Sequence, residues 1–197
     1  MPSIRGNEKS VFAIMGARTY ARDERQLHDF YATPPIAVDA LVSAAGQQIS
    51  HRLWEPACGI GHLSERLKHY GYNVYSTDMY DRGYGDDFFD FLTSDRKWDG
   101  DIITNPPYKY ALEFVKHALS LIDEGRRVYL FLKLSFLESK LRRPFFDTLQ
   151  LETVYVFSDR MTCAKNGDFK TAERGAVSYA WFVFRKGYGS YPEIRWL

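Results

Sequence analysis

The chain has 197 residues, 45% of them hydrophobic and 26% charged, with a formal net charge of +1. That length allows one α/β domain with a full core and is too short for two large ones. The balance is that of a soluble globular protein, and no apolar run approaches the roughly 18 residues of a membrane span. The start, Met1 to Glu8, lacks the apolar core of a signal peptide, so the sequence reads as intracellular, hence cytoplasmic. Cys58 and Cys163 form no CxxC and have no histidine at metal spacing, so neither a disulfide nor a metal is expected.

Charge is unevenly spread. Residues 55–104 carry ten acidic and five basic side chains, whereas residues 126–174 carry ten basic and six acidic ones. The asymmetry fits a C-terminal half that faces phosphates. Scattered, solvated lysines and arginines are the plainer alternative.

In chain order, residues 1–28 are polar with no sustained period and are expected to form a loose arm, with a short helix near Tyr20–His28. Residues 29–197 are read as one domain. Thr33-Pro34-Pro35 reads as an N-cap followed by proline at the first helical position, and Ile36, Val38, Leu41 and Val42 continue at helical spacing. An ordinary capped helix accounts for that segment taken alone. Leu53-Trp54 ends a strand, Glu55-Pro56-Ala57-Cys58-Gly59-Ile60-Gly61 is a glycine-bearing loop, and Leu63 to His69 is helical. Strand, loop and helix form the opening unit of a nucleotide-binding sheet. The loop is no phosphate cradle, because Glu55 would repel a pyrophosphate; a carboxylate there suits the ammonium of an amino acid. The ligand suggested is an aminoacyl nucleoside.

Asn73 to Thr77 reads as the second strand, delivering Asp78 at the distance from the glycines where an acid binds ribose hydroxyls. Met79 would pack on an adenine face. Asp90 would accept from an adenine amine beside Phe91, with Asp86 and Asp87 as competitors for that role; the aromatic run around it could equally be core. Asp101 to Thr104 is a short strand leading into Asn105-Pro106-Pro107-Tyr108. An asparagine oxygen accepts from an exocyclic amine. The prolines remove two donors and fix φ, so neighbouring carbonyls are held in place. Tyr108 offers a flat face on which a base stacks. The alternative for this stretch is a plain strand-to-turn corner.

Ala111 to Ile122 has helical spacing and ends before Gly125. Val128 to Leu134 is a buried strand interrupted by Lys133. Phe136 to Leu149 reads as a basic-faced helix, Thr153 to Phe157 as a strand, and 159–175 as a long polar loop. Ala176 to Phe184 alternates and closes the sheet as an antiparallel partner, leaving 186–197 as an aromatic-tipped tail.

These residues resemble the class I S-adenosylmethionine-dependent amino-methyltransferases, in particular the DNA adenine-N6 enzymes of the gamma motif order. Thr33-Pro34-Pro35, Glu55 to Gly61, Asp78, Asp90-Phe91-Leu92 and Asn105 to Tyr108 occur in that family's order. The later runs Leu132 to Glu138 and Tyr179 to Phe184 look like small stand-alone enzymes of phages and prophages. The resemblance implies a single-domain Rossmann-like α/β fold with a seven-stranded, mostly parallel sheet and an antiparallel last strand. It implies S-adenosylmethionine as cofactor, held by Tyr31, Thr33, Pro34, Glu55, Ala57, Gly59, Gly61, Asp78, Met79, Asp90 and Phe91. It places Asn105, Pro106, Pro107 and Tyr108 at the reacting amine. Lys133, Arg160, Met161 and Lys165 are the candidates for target contact. Met161 stands where an aromatic stacking residue is usual.

The expected partner is DNA, with an adenine flipped out of the duplex at a cost of about a few kcal/mol. Only about 90 residues follow Tyr108, and the last strands are expected to use nearly all of them, so no separate recognition domain is expected; specificity is then either relaxed or very short, or recognition is supplied by a partner. Rival substrates are an RNA base, cytosine N4 or a protein glutamine, all of which suit the same acceptors. A rival of another class is a non-catalytic module that senses the cofactor or occupies DNA. The intact Asn105, Asp78 and Gly59 speak against it.

Overall fold

The structure is a computed structural model that describes residues 31–161, 164–165 and 177–197. Its strands are β1 (Tyr31–Ala32), β2 (Arg52–Glu55), β3 (Asn73–Asp78), β4 (Asp87–Phe88), β5 (Asp101–Thr104), β6 (Arg127–Lys133), β7 (Leu151–Val156), β8 (Ala164–Lys165), β9 (Tyr179–Arg185) and β10 (Glu193–Trp196). Its α-helices are α1 (Pro35–Ala45), α2 (His62–His69), α3 (Ala111–Leu121) and α4 (Arg143–Phe146). Eight strands form one sheet in the order β10-β7-β9-β6-β5-β2-β3-β4. All its pairings are parallel except those of β9, which runs antiparallel to both β6 and β7. β1 and β8 make a separate two-stranded antiparallel ribbon.

The central strands are apolar throughout because both faces of the sheet are covered. Successive residues point to opposite faces. Trp54, Ile102, Val128, Leu130 and Phe182 therefore join α3 in one core. Leu53, Ile103, Tyr129, Phe131 and Trp181 join α1 and α2 in the other. Ala37, Val38, Leu41 and Ala45 form the buried stripe of α1, and the Trp181 indole N–H donates to the Ala37 carbonyl at 2.8 Å. At the N-terminal ends of the strands the Asp101 carboxylate accepts from Ser50 N and Arg127 N, both at 2.8 Å, stitching β5 to β6.

Sequence order reverses between β2 and β5, the two strands from which the sheet grows in opposite directions. A crevice opens outside the C-terminal ends of strands at such a switch point.

Several expectations are corrected. The sheet has eight strands, and the antiparallel β9 lies inside it. Tyr179 to Phe184 are all buried, so the chemical alternation there reflects two filled faces. The final strand is β10, formed by the segment read as a tail. In place of a helix over 136–149 there is a 3-10 turn at Leu134–Leu137 and the single turn of α4. Pro144 sits in the first turn of α4, where its missing N–H costs nothing. Pro34, one residue after Thr33, is the N-cap of α1 and makes no side-chain capping bond; Pro35 opens the helix. The arm at 1–28, with its helix near Tyr20–His28, and most of the 159–175 loop lie outside the described residues.

Candidate active site

β2 ends at Glu55, and the loop that follows turns into α2 at Gly61. Gly61 has φ +87°, a left-handed conformation that favours glycine. A Cβ there would lie 2.5 Å from the Tyr84 ring, so the Tyr84 side chain occupies the space beside the turn. The parallel neighbour β3 delivers Asp78 beside the same loop. Its Oδ2 accepts from Gly59 N at 2.8 Å and its Oδ1 from Tyr80 N at 3.0 Å. Each oxygen keeps further acceptor capacity for a ligand hydroxyl.

Glu55 is 2% exposed. Its carboxylate accepts from the Ser64 hydroxyl, which also contacts Ser76 Oγ at 2.6 Å. Burial pushes this acid up to about 8, opposed by the Ser64 bonds and reinforced by the nearby Asp78 charge. Among the described residues no ion pair reaches Glu55. The Lys68 charge opposes this shift more weakly than burial drives it, and Arg82 lines the same cleft.

β5 delivers Asn105 on the other side of the switch point. Its Nδ2 donates to the Tyr31 carbonyl at 2.7 Å. A carbonyl only accepts, so this bond fixes which end of the amide is which and leaves Oδ1 as a free-standing acceptor orientation. The Tyr108 ring lies nearly parallel to that of Tyr31, with centroids 6.2 Å apart and planes at 21°. The Lys133 ammonium sits 5.0 Å from the Tyr108 centroid, and Tyr179 flanks the same ring at 6.1 Å.

One cleft brings together Tyr31, Thr33, Glu55, Ala57, Asn105 and Pro107 from three separate stretches of chain. Gly59, bonded to Asp78, follows the lining residue Cys58, and Pro34 and Pro106 likewise adjoin lining residues in sequence; Asp78, Met79 and Asp90 do not themselves line the cleft. Met79 is 55% exposed and available to a ligand face. Phe91 departs from expectation. It is 2% exposed, edge-on to Trp54 at 5.2 Å and 5.1 Å from Phe114, so its ring is committed to the core. Asp90 caps the following 3-10 turn by accepting from Leu92 N at 3.0 Å.

On the target side, Met161 packs against the core cluster of Phe131 and Trp181, and Arg160 is exposed. Lys165 pairs through its backbone with Tyr31. Cys58, His62 and Arg82 also line the cleft and were not singled out from sequence. His62 directly follows Gly61 at the start of a helix, a position that carries a weak signal; Arg82 sits in a loop with no pattern to mark it. Burial, then the Glu55 charge, hold the Cys58 thiol far above its usual range, so it is no nucleophile. Burial also lowers the His62 imidazole pKa, favouring the neutral ring.

Among the described residues of the basic C-terminal half, several of the arginines are taken up by partners within the fold. Arg126 pairs with Asp99 at 2.9 Å, Arg127 with Glu152 at 2.6 Å and Arg143 with Asp147 at 2.7 Å. Arg142 donates to the carbonyls of Ser135, Phe136 and Glu138. Arg126 and Arg127 also lie at the start of β6, the end of the sheet away from the cleft; Lys133 ends the same strand beside Tyr108. Among the described residues no helix is long and apolar enough to cross a membrane, and no cluster of three or more metal-ligating side chains occurs.

No protein-family model and no curated protein sequence matches the chain. Solved structures do. A proposed RNA methyltransferase from Pyrococcus horikoshii superposes with a TM-score of 0.58 at 16% identity, over 90% of this chain and 98% of that one. A proposed class I S-adenosylmethionine-dependent methyltransferase from Listeria monocytogenes gives 0.60 at 12% identity, over 89% and 67%. The modification subunit of a proposed type I restriction enzyme from Vibrio vulnificus gives 0.54 at 16% identity, over 94% of this chain and 48% of that one. The fold is the Rossmann-like methyltransferase fold. Identities this low establish architecture, and the chemistry has to be argued from the cleft.

Proposed function

We propose that this chain transfers a methyl group from S-adenosylmethionine to an amine, with adenine N6 in DNA as the acceptor. The observation that carries the reading is Asn105, held at the strand end with its NH₂ tied to the Tyr31 carbonyl and its oxygen oriented to accept. The cofactor fits the residues present. Glu55 offers a buried carboxylate to an α-ammonium, Asp78 keeps lone pairs for ribose hydroxyls, and Met79 offers an exposed side chain to the adenine. Thr33, Ala57 and Gly59 would complete the holding set. Phe91, buried as it is, would act beneath the site as support.

When bound, S-adenosylmethionine supplies an activated methyl on a sulfonium. The protein's part is orientation, which is worth several kcal/mol when a reacting pair is held in line. Asn105 Oδ1 and the Pro106 carbonyl accept from the two N–H bonds of the target amine and favour a more tetrahedral nitrogen. Tyr108 stacks on the target base, and the Lys133 charge beside it suits a backbone phosphate. The nitrogen gains the methyl and loses one proton to solvent after transfer, so no general base is required. The sequence pattern resembles that of small phage and prophage methyltransferases.

The test is incubation with methyl-labelled S-adenosylmethionine and unmethylated duplex DNA, followed by nucleoside analysis. N6-methyladenine is expected, and mapping its positions gives the specificity. Label in RNA, in cytosine N4 or in a protein glutamine, with none in DNA adenine, would move the assignment to that amine. No transfer to any of these, with the cofactor bound, would favour a non-catalytic module.

A further inference from the structure

β10 is the outer strand of the eight-stranded sheet. Its inner edge is fully used: Leu197 N donates to Val156 O at 2.9 Å, and Ser158 N donates to Leu197 O at 3.1 Å. Backbone groups alternate in direction along a strand. Those of Arg195 and Glu193 therefore face β7, while those of Ile194 and Trp196 face outward. No strand among the described residues meets them. The side chains are exposed along the whole strand, with Ile194 at 56% and Trp196 at 71%. Such an edge is a template for another strand unless it is blunted. The strand is short and carries Glu193 and Arg195, with Pro192 just before it, so a partner strand has to match those charges.

We propose that β10 pairs antiparallel with β10 of a second copy of this chain, about a two-fold axis through Ile194, joining two sheets into one. Three independent features are self-complementary in that register. Ile194, whose N–H and C=O both point outward, meets Ile194 of the copy and exchanges both bonds. Trp196 N–H meets the Pro192 carbonyl, where proline's lack of a donor forfeits one bond on each side. Glu193 and Arg195 share the other face, 2.7 Å apart within one strand, and each meets the opposite charge of the copy. A register centred on Arg195 instead places Arg195 against Arg195, which repels, and Glu193 against Leu197, which leaves its charge unmatched. On the apolar face Ile194 packs on Ile194 and the Trp196 indole on the Pro192 ring. Pairing thus covers the apolar groups that β10 exposes.

Sedimentation equilibrium over a range of micromolar concentrations is the first measurement, and a monomer–dimer equilibrium is expected. Arg195→Glu puts like charges opposite each other twice and should weaken the dimer by about tenfold or more. The swap Glu193→Arg with Arg195→Glu should restore it. Circular dichroism on each variant separates dissociation from unfolding. As a geometric check, Ile194→Cys should form a disulfide-linked dimer on mild oxidation. The Cα spacing of a hydrogen-bonded antiparallel pair, about 5.5 Å, falls within disulfide range. Wild-type protein, which carries Cys58 and Cys163, is the control. A monomer at every concentration, a dimer indifferent to Arg195→Glu, or cross-linking no faster than wild type would each overturn the proposal.

Discussion

Replacing Glu55 by glutamine keeps the size and hydrogen-bonding reach of the side chain and removes its proton equilibrium. In the wild type, burial holds this acid up at about 8. At pH 7 roughly nine-tenths of it is then protonated in the cofactor-free protein. An α-ammonium entering the cleft supplies the charge that burial withholds and draws the acid back toward the ordinary carboxylate range of about 4.3. Cofactor binding at pH 7 should therefore release ~0.9 proton, and affinity should weaken about ninefold from pH 7 to pH 6, or about 1.3 kcal/mol. The ligand's own α-amine stays mostly charged across that interval, so the slope belongs to Glu55. Calorimetric titration with S-adenosylmethionine in two buffers of different ionisation heat reads the proton count directly. In Glu55→Gln the count should fall to near zero and the slope should flatten. Wild-type affinity that is flat from pH 6 to pH 7, with no proton exchanged, would refute the reasoning and move the ammonium away from Glu55.

Asn105→Ala should lower the methyl-transfer rate by about a hundredfold or more while leaving the cofactor dissociation constant within about twofold, because the lost acceptor touches only the amine; equal loss of both would make Asn105 structural. The same buried acid also sets a stability slope. Its folded pKa is raised from 4.5 to about 8, so its contribution is full below 4.5 and is lost as pH rises through 8. Urea denaturation of the cofactor-free protein should show about 2 kcal/mol less stability at pH 8 than at pH 6 from this group, absent in Glu55→Gln. Gly61→Ala forces a Cβ onto the Tyr84 ring and a side chain into a left-handed turn, costing about 1–3 kcal/mol for the backbone alone; adding Tyr84→Ala should relieve the clash and leave the backbone cost. Lys133→Met should weaken nucleic-acid binding roughly equally across sequences and reduce the salt slope by about one, read by fluorescence anisotropy at several ionic strengths.

The parallel part of the fold was legible because its signals are local. Strand, glycine loop and helix follow one another at Glu55 to His69, and Asp101 to Thr104 leads straight into Asn105. What escaped depends on partners distant in sequence. Among the described residues β10 pairs with β7 alone, and an exposed Glu-Ile-Arg-Trp run looks the same as a tail until that neighbour is known. Phe91 is chemically fit to flank an adenine, but the ring contacts of Trp54 and Phe114 capture it first. The basic residues of the C-terminal half read as a surface charge until Glu152, Asp99 and Asp147 are found beside them. Arg82 reaches the cleft from a loop, where no periodicity marks direction.

The bond from Asn105 Nδ2 to the Tyr31 carbonyl ties the chemistry to the smallest piece of sheet among the described residues. A two-residue ladder has little stability of its own, so it belongs to the parts of a protein that open locally, well below the global unfolding free energy. When β1 lets go, the two ends of the Asn105 amide become equivalent. A half-turn about χ2 then presents a donor to the incoming nitrogen, and the acceptor site reverses polarity without any residue leaving the core. The orientation of the Asn105 amide is thereby coupled to whether β1 is in place.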